Sequence, residues 1–141
     1  FSVAENGSLY FTSDGDIYRS TFTDDQYQEP RRLGQEINTP SAEGLPCIAP
    51  DESYLLFSSN GHPDQVGDFD LYLSERTTDG SWAQAINLGT GVNSRYQELY
   101  PVVSPEEKYL FFLSNRGGTH NVYWVDFASI KSRLLAHAEG H

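Results

Sequence analysis

One stretch of this chain occurs twice. Pro46 to Asn60 reads PCIAPDESYLLFSSN and Pro101 to Asn115 reads PVVSPEEKYLFFLSN, with Pro, Tyr, Leu, Phe, Ser and Asn in equivalent places at an offset of 55 (101 − 46 = 55). Repetition at such a period marks an array, solenoid or propeller, in which each copy is one supersecondary unit and neighbours bury its apolar faces. The repeat therefore decides the kind of object before any single element is assigned.

The register continues outside the repeated core. Tyr27, Leu33 and Gly34 fall in line with Trp82, Leu88 and Gly89, and Ile37-Asn38-Thr39 with Glu43 falls in line with Val92-Asn93-Ser94 with Glu98. The N-terminal FSVAENGSLYFTSDGDIYRSTF is a shorter copy, with Asn6-Gly7 and Asp14-Gly15 between apolar runs. Such dipeptides are the strongest short hairpin signals. The expected strands of this copy are an N-terminal apolar run, Leu9 to Ser13, Ile17 to Phe22, and an outer strand within Tyr27 to Leu33, where Pro30 is tolerable at an edge.

The second copy is expected to place strands near Leu45–Ala49, Tyr54–Ser59, Asp70–Glu75 and Ala85–Leu88, and the third near Tyr100–Ser104, Tyr109–Ser114 and Asn121–Asp126. Then the pattern changes. Ile130, Leu134 and Leu135 take a helical spacing, so a short helix is expected where a fourth strand would stand. The chain is rich in Tyr (9) and Phe (8) and has no Met, a composition that suits strands. The fold class is thus all-β: about three four-stranded antiparallel blades of a β-propeller with a short C-terminal helix. Blade one covers about 1–34, blade two about 45–89, blade three about 99–127 and the helix about 128–137.

Charge removes two classes of partner. With 20 Asp and Glu against 9 Lys and Arg, the net charge of −11 repels nucleic acid and anionic membrane. No apolar run approaches the roughly 20 residues of a membrane span. The single cysteine, Cys47, makes no intrachain disulfide and reads as a small buried apolar side chain. The chain opens at Phe1 inside a strand pattern, as a processed or truncated piece would.

In a blade the loop between strands two and three and the connection to the next blade share one end, which places residues 60–68, 115–120, 37–43 and 92–98 around one channel mouth. Polar residues repeated between copies, Asn38 and Asn93, Glu43 and Glu98, Asn60 and Asn115, read as structural, satisfying backbone groups of the loops. What does not repeat points to function. In the inserted loop of the second copy, Asp64, Asp68 and Asp70 can supply oxygen ligands to Ca²⁺, although their spacing is not that of an EF-hand. No other cofactor is implied.

His62 and His120 lie in loops of the same end, where a two-His metal or acid–base site is conceivable, while His137 and His141 read as solvated tail residues. Phe69, Arg95, Tyr96 and Tyr100 offer rings and a cation for a sugar or a peptide, and Arg116 stands in the adjacent loop. The ligand-binding candidates are therefore His62, Asp64, Phe69, Arg95, Tyr96, Arg116 and His120; no catalytic residue is assigned. There is no G-x-S-x-G elbow and no Gly-rich phosphate loop opening a helix.

The pattern P-x-[IV]-[SA]-P-[DE]-x-x-Y-L-[LF]-F-x-S-N, with Asp70-Leu71-Tyr72, Gly80, Trp82 and Leu88-Gly89 in one copy and Asn115-Arg116-Gly117 and Tyr123-Trp124 in the next, resembles the WD-like propeller repeats of bacterial proteins related to the Tol-system component TolB. The resemblance covers nearly the whole chain. It implies a ring of six blades, of which this chain holds half, completed by a homodimer or by N-terminal blades outside the sequence. It also implies a bacterial periplasmic or secreted setting and a protein partner. The function expected of the whole is non-catalytic recognition of a protein segment or a small molecule, a sugar included, at one face of the ring. The alternative is a metal-assisted hydrolase or lyase acting on polysaccharide or peptide through loop His and Asp residues.

Overall fold

Glycine and aspartate turns set the local geometry. Asp14 and Gly15 both hold left-handed backbone (φ 51° and 83°), the two-residue hairpin turn whose twist matches that of the strands it joins. Asp24 and Asp25 do the same at φ 51° and 60° without a glycine.

The computed structural model describes residues 1–139, and side chains through Ala136, so His137 and His141 lie outside the described side chains. Its strands are β1 (Ser2–Val3), β2 (Leu9–Ser13), β3 (Asp16–Ser20), β4 (Phe22–Thr23), β5 (Gln26–Tyr27), β6 (Arg31–Arg32), β7 (Glu43–Ile48), β8 (Tyr54–Ser59), β9 (Asp70–Glu75), β10 (Ile86–Asn87), β11 (Glu98–Val103), β12 (Tyr109–Ser114) and β13 (Asn121–Asp126), followed by helix α1 (Phe127–Glu139). They form antiparallel sheets in the orders β1-β2-β3-β6, β10-β9-β8-β7 and β11-β12-β13, with β4 and β5 as a separate hairpin. No described helix is long and apolar enough to cross a membrane.

The architecture is that of propeller blades, and the second and third strands of the second and third repeats fall where the sequence places them. The outer strands lie within the expected segments but are shorter. In the first sheet the outer strand is only Arg31–Arg32, because Pro30 gives no ladder donor before it and Tyr27 pairs with Phe22 in the hairpin instead. The third strand accordingly stops at Ser20.

The middle sheet shows why the repeat is needed. Every residue of β8 is buried, and its side chains alternate between two cores. Leu55 and Phe57 join Tyr10, Ile17, Ile37 and Tyr72 against the first sheet, while Tyr54 and Leu56 join Leu71, Leu73, Leu110 and Phe112 against the third. A strand that reads as a continuous apolar run is thus an alternating strand with a neighbour on each face.

Polar contacts join the blades at the turn between their first two strands. Tyr10 Oη donates to Glu52 at 2.6 Å, and Tyr54 Oη donates to Glu107 at 2.6 Å, each a tyrosine of one blade reaching the turn of the next. Glu52 and Glu107 both sit at positive φ (60° and 58°), where the first blade has Gly7 (φ 88°). A glutamate is kept in this costly conformation where its carboxylate has partners to satisfy.

The helix replaces the missing outer strand of the third sheet. Asp126 Oδ1 accepts the Ser129 amide at 3.0 Å, capping the helix, and Phe127 and Ile130 close the second core. Cys47 is half-buried beside that core, and burial pushes its thiol pKa up, so it stays protonated.

Candidate binding face at the loop end of the blades

The connections between blades repeat as hydrogen-bonded units. Thr39 donates through its amide (2.8 Å) and hydroxyl (2.5 Å) to Glu43, and Ser59 Oγ adds a third bond at 2.7 Å. One repeat later Ser94 donates to Glu98 in the same two ways, joined by Ser114 Oγ at 2.9 Å. Asn38 and Asn93 hold the backbone of Ile17 and Leu71, and Asn60 and Asn115 accept the amides of Ala42 and Gln97. These repeated groups fasten loops, each of the donors and acceptors just named being bonded within the protein.

Glu98 differs from Glu43 in its neighbour. Arg116 Nη2 lies 3.2 Å from Glu98 and also donates to the Val92 carbonyl, with its guanidinium over the rings of Tyr123 and Phe112. The equivalent of Arg116 is Gly61, where a Cβ would come within 2.0 Å of Thr39 Oγ1. Arg116 therefore serves as the counter-charge of a buried carboxylate rather than as an open ligand contact.

The inserted loop folds back on its own carboxylates. Asp70, fully buried, accepts the amides of Val66 and Gly67 and the side chain of Asn87. Asp64 accepts the Tyr72 hydroxyl at 3.1 Å, and Asp68 accepts Gln97 Nε2 at 2.8 Å. The three carboxylates have separate partners, and among the described residues no group of three or more His, Cys, Asp and Glu is placed to hold a metal ion.

His62 is turned inward. It is 4% exposed, its ring lies 4.6 Å from that of Tyr72, and Nε2 donates to the Ile37 carbonyl at 2.9 Å. His120 is exposed in the turn before β13. One histidine is a core ring and the other faces solvent, so the structure does not bring them together as a pair.

What remains on the surface is small and contiguous. The loop docks on the connection into the third blade through the Asp68 amide to the Tyr96 carbonyl (3.1 Å), the Glu98 amide to the Phe69 carbonyl (2.8 Å) and a bridge between Phe69 and Gln97. Phe69 itself is half-buried there. Arg95 stacks over the Tyr96 ring, 4.9 Å from its centre, and donates to its hydroxyl. Asp68, Arg95 and Tyr96 thus expose an acceptor, a cation and a ring on one docked segment. Tyr100 is exposed nearby at φ 54°, in a bulge of β11 that repeats the bulge at Leu45 in β7.

Gly67 is the hinge pin of that segment. A Cβ there would lie 2.1 Å from the Ser94 carbonyl oxygen and 2.6 Å from that of Tyr96. Gly67→Ala is expected to lift the loop from its neighbour at a cost of about 2 kcal/mol, as overpacking against backbone does. Faster amide exchange at Asp68 and Glu98 without loss of the core would report it.

Sequence reasoning missed one group of residues. Arg19, Arg31, Arg76 and Trp82 come together between the outer parts of the first two blades, at the end away from the loops. Arg19 and Arg31 belong to one blade and Arg76 and Trp82 to the next, so no pattern within one segment joins them.

No protein-family model matches the chain, and no curated protein matches it. The crystal structure of TolB from Acinetobacter baumannii is similar over 89% of this chain, with a TM-score of 0.57 and 18% identity. The chain spans 29% of the length of that structure. At this identity the likeness is one of fold. In fold, the chain is a series of TolB-like β-propeller blades.

Proposed function

We propose that this chain is a non-catalytic binding module: a half-propeller of three blades, at about 1–34, 45–89 and 99–127, that recognises a protein segment or small ligand at its loop end. The observation that carries the reading is the fate of the candidate groups. His62, Asp70 and Arg116 are taken up by structural bonds, whereas Asp68, Arg95 and Tyr96 face outward. Aromatic and arginine side chains on a rigid support are the usual anchors of a binding surface. No observation favours the hydrolase or lyase alternative, which needs His62 and His120 to converge with Asp64 or Asp68. The setting follows the resemblance to TolB-related proteins, periplasmic or secreted in a bacterium.

The test is selection from a displayed peptide library on the intact chain, repeated on an Arg95→Ala/Tyr96→Ala variant. Peptides that bind the first and lose binding to the second support the reading. Equal enrichment on both overturns it.

The partner we propose for ring closure is a second copy. Blade three leaves Val102, Phe111, Val122 and Trp124 exposed on one sheet face, and blade one leaves Val3, Phe22 and Tyr27 exposed at the other end. By repeat register Phe111 corresponds to Leu56, which is fully buried against the following blade. Two half-rings joined end to end would cover both faces by a closed two-fold arrangement. The expected result by light scattering is a mass of twice 15.8 kDa that falls on dilution. A monomer at all concentrations would sink closure by self-pairing and leave these faces to other blades.

A further inference from the structure

We propose that the groove between the outer strand of blade one and the Arg76–Trp82 loop of blade two is a recognition site for a carboxylate group. It lies at the opposite end from the binding face above and goes beyond that reading. The groove has a volume of about 730 Å³ and is lined by Arg19, Arg31, Arg32 and Arg76, with Trp82 on one wall. Four of the chain's 9 basic residues therefore line one groove, with Glu29 and Glu36 as the acidic residues beside them.

The arginines are not balanced alike. Arg32 is fully engaged, with Nε and Nη2 on Asp16 and Nη1 on the Leu33 carbonyl. Arg19 and Arg76 share a single carboxylate, Glu52, at 2.9 and 3.3 Å. Two guanidiniums thus have one ion-paired carboxylate between them, and Arg19 Nη1 and Arg76 Nη2 carry no hydrogen bond among the described residues.

Arg31 adds a third guanidinium, without an ion pair of its own among the described residues. It pairs with Arg19 across β3 and β6, so the two side chains leave the same face of the sheet directly opposite one another. Like charges in that position are unfavourable, and Arg31 has no ion pair among the described residues. A planar carboxylate seated on these guanidiniums would relieve the repulsion and take up the unused donors. Trp82, already stacked by Arg76 at 5.4 Å, supplies an apolar wall for the carbon chain of the ligand.

Glu29 and Glu36 on the walls set the selectivity. They and the overall negative field oppose a dense polyanion, so a single carboxylate is favoured over a phosphate chain. Its source is either an acidic side chain of a peptide or a small free organic acid.

The experiment follows the Trp82 indole signal in a ¹H–¹⁵N spectrum of the whole chain. The probes are glutarate, a capped hexapeptide with one glutamate, and the same hexapeptide with glutamine. A saturable shift with the glutamate peptide alone assigns a peptide ligand; a shift with glutarate assigns a free acid; either supports the site. Arg31→Gln, at an exposed position, is expected to weaken the binding about tenfold, the scale of one charge-assisted hydrogen bond. The proposal is overturned if neither carboxylate probe moves the signal, if the glutamine peptide moves it equally, or if Arg31→Gln leaves the affinity unchanged.

Discussion

Phe57→Ala is expected to destabilise the chain by about 4 kcal/mol, the usual cost of emptying a fully buried phenyl site. Phe57 has no solvent exposure; its ring stacks on Tyr72 with centres 5.9 Å apart and packs on His62 at 6.0 Å. It also belongs to the core that joins the first blade to the second. Its loss therefore loosens an interface between blades as well as a sheet. Since a domain of this size has only about 5–15 kcal/mol of net stability, the variant should unfold at a much lower denaturant midpoint. The matched control is Phe111→Ala, whose ring is 38% exposed on the outer face of blade three. In dilute solution it should cost about 1 kcal/mol or less, because less area returns to water. A Phe57→Ala midpoint within error of that control would refute the interblade core.

Glu52→Gln is expected to cost about 3 kcal/mol, because removing the charge from a buried ion pair strands its partners. Glu52 Oε1 accepts from Tyr10 and Arg19, and Oε2 from Asn6 and Arg19, with Arg76 3.3 Å away. An amide replaces one of those oxygens with a donor that faces donors. Two guanidiniums are then left without their carboxylate.

The same site gives a pH dependence with a definite sign. Burial opposes the charge of Glu52, yet the hydrogen bonds from Arg19, Tyr10 and Asn6 outweigh it and pull its pKa from 4.5 down to about 2. Folding therefore favours the deprotonated form. The contribution of Glu52 is complete above about pH 4.5 and is lost as pH falls toward 2. The difference in stability between the native chain and Glu52→Gln should shrink across that window, with other carboxylates cancelling in the comparison. A difference independent of pH between 5 and 2 would mean that packing, and not charge, holds this junction.

What the sequence could carry is whatever depends on near neighbours in the chain. Tyr54–Ser59, Asp70–Glu75, Tyr109–Ser114 and Asn121–Asp126 were readable because a strand's alternation, its turn residues and its 55-residue echo are all local patterns. Equally legible was the helix at Ile130, Leu134 and Leu135, set by spacing alone.

Tertiary structure decided the rest. The outer strands shrank to Arg31–Arg32 and Ile86–Asn87 because an edge strand forms only where a partner's ladder reaches it. In the loops, His62 belongs to the core because Phe57, Tyr72 and the Ile37 carbonyl leave it a place there, a fact no spacing encodes. Arg19 and Arg31 come from neighbouring strands of one blade and Arg76 from the next, and the three meet only because β6 lies beside β3 and the second blade packs against the first. Repetition and alternation are properties of one segment and determine which strands form. The choice of which charged and aromatic groups share a surface is made by packing between segments, which no single segment of the sequence records.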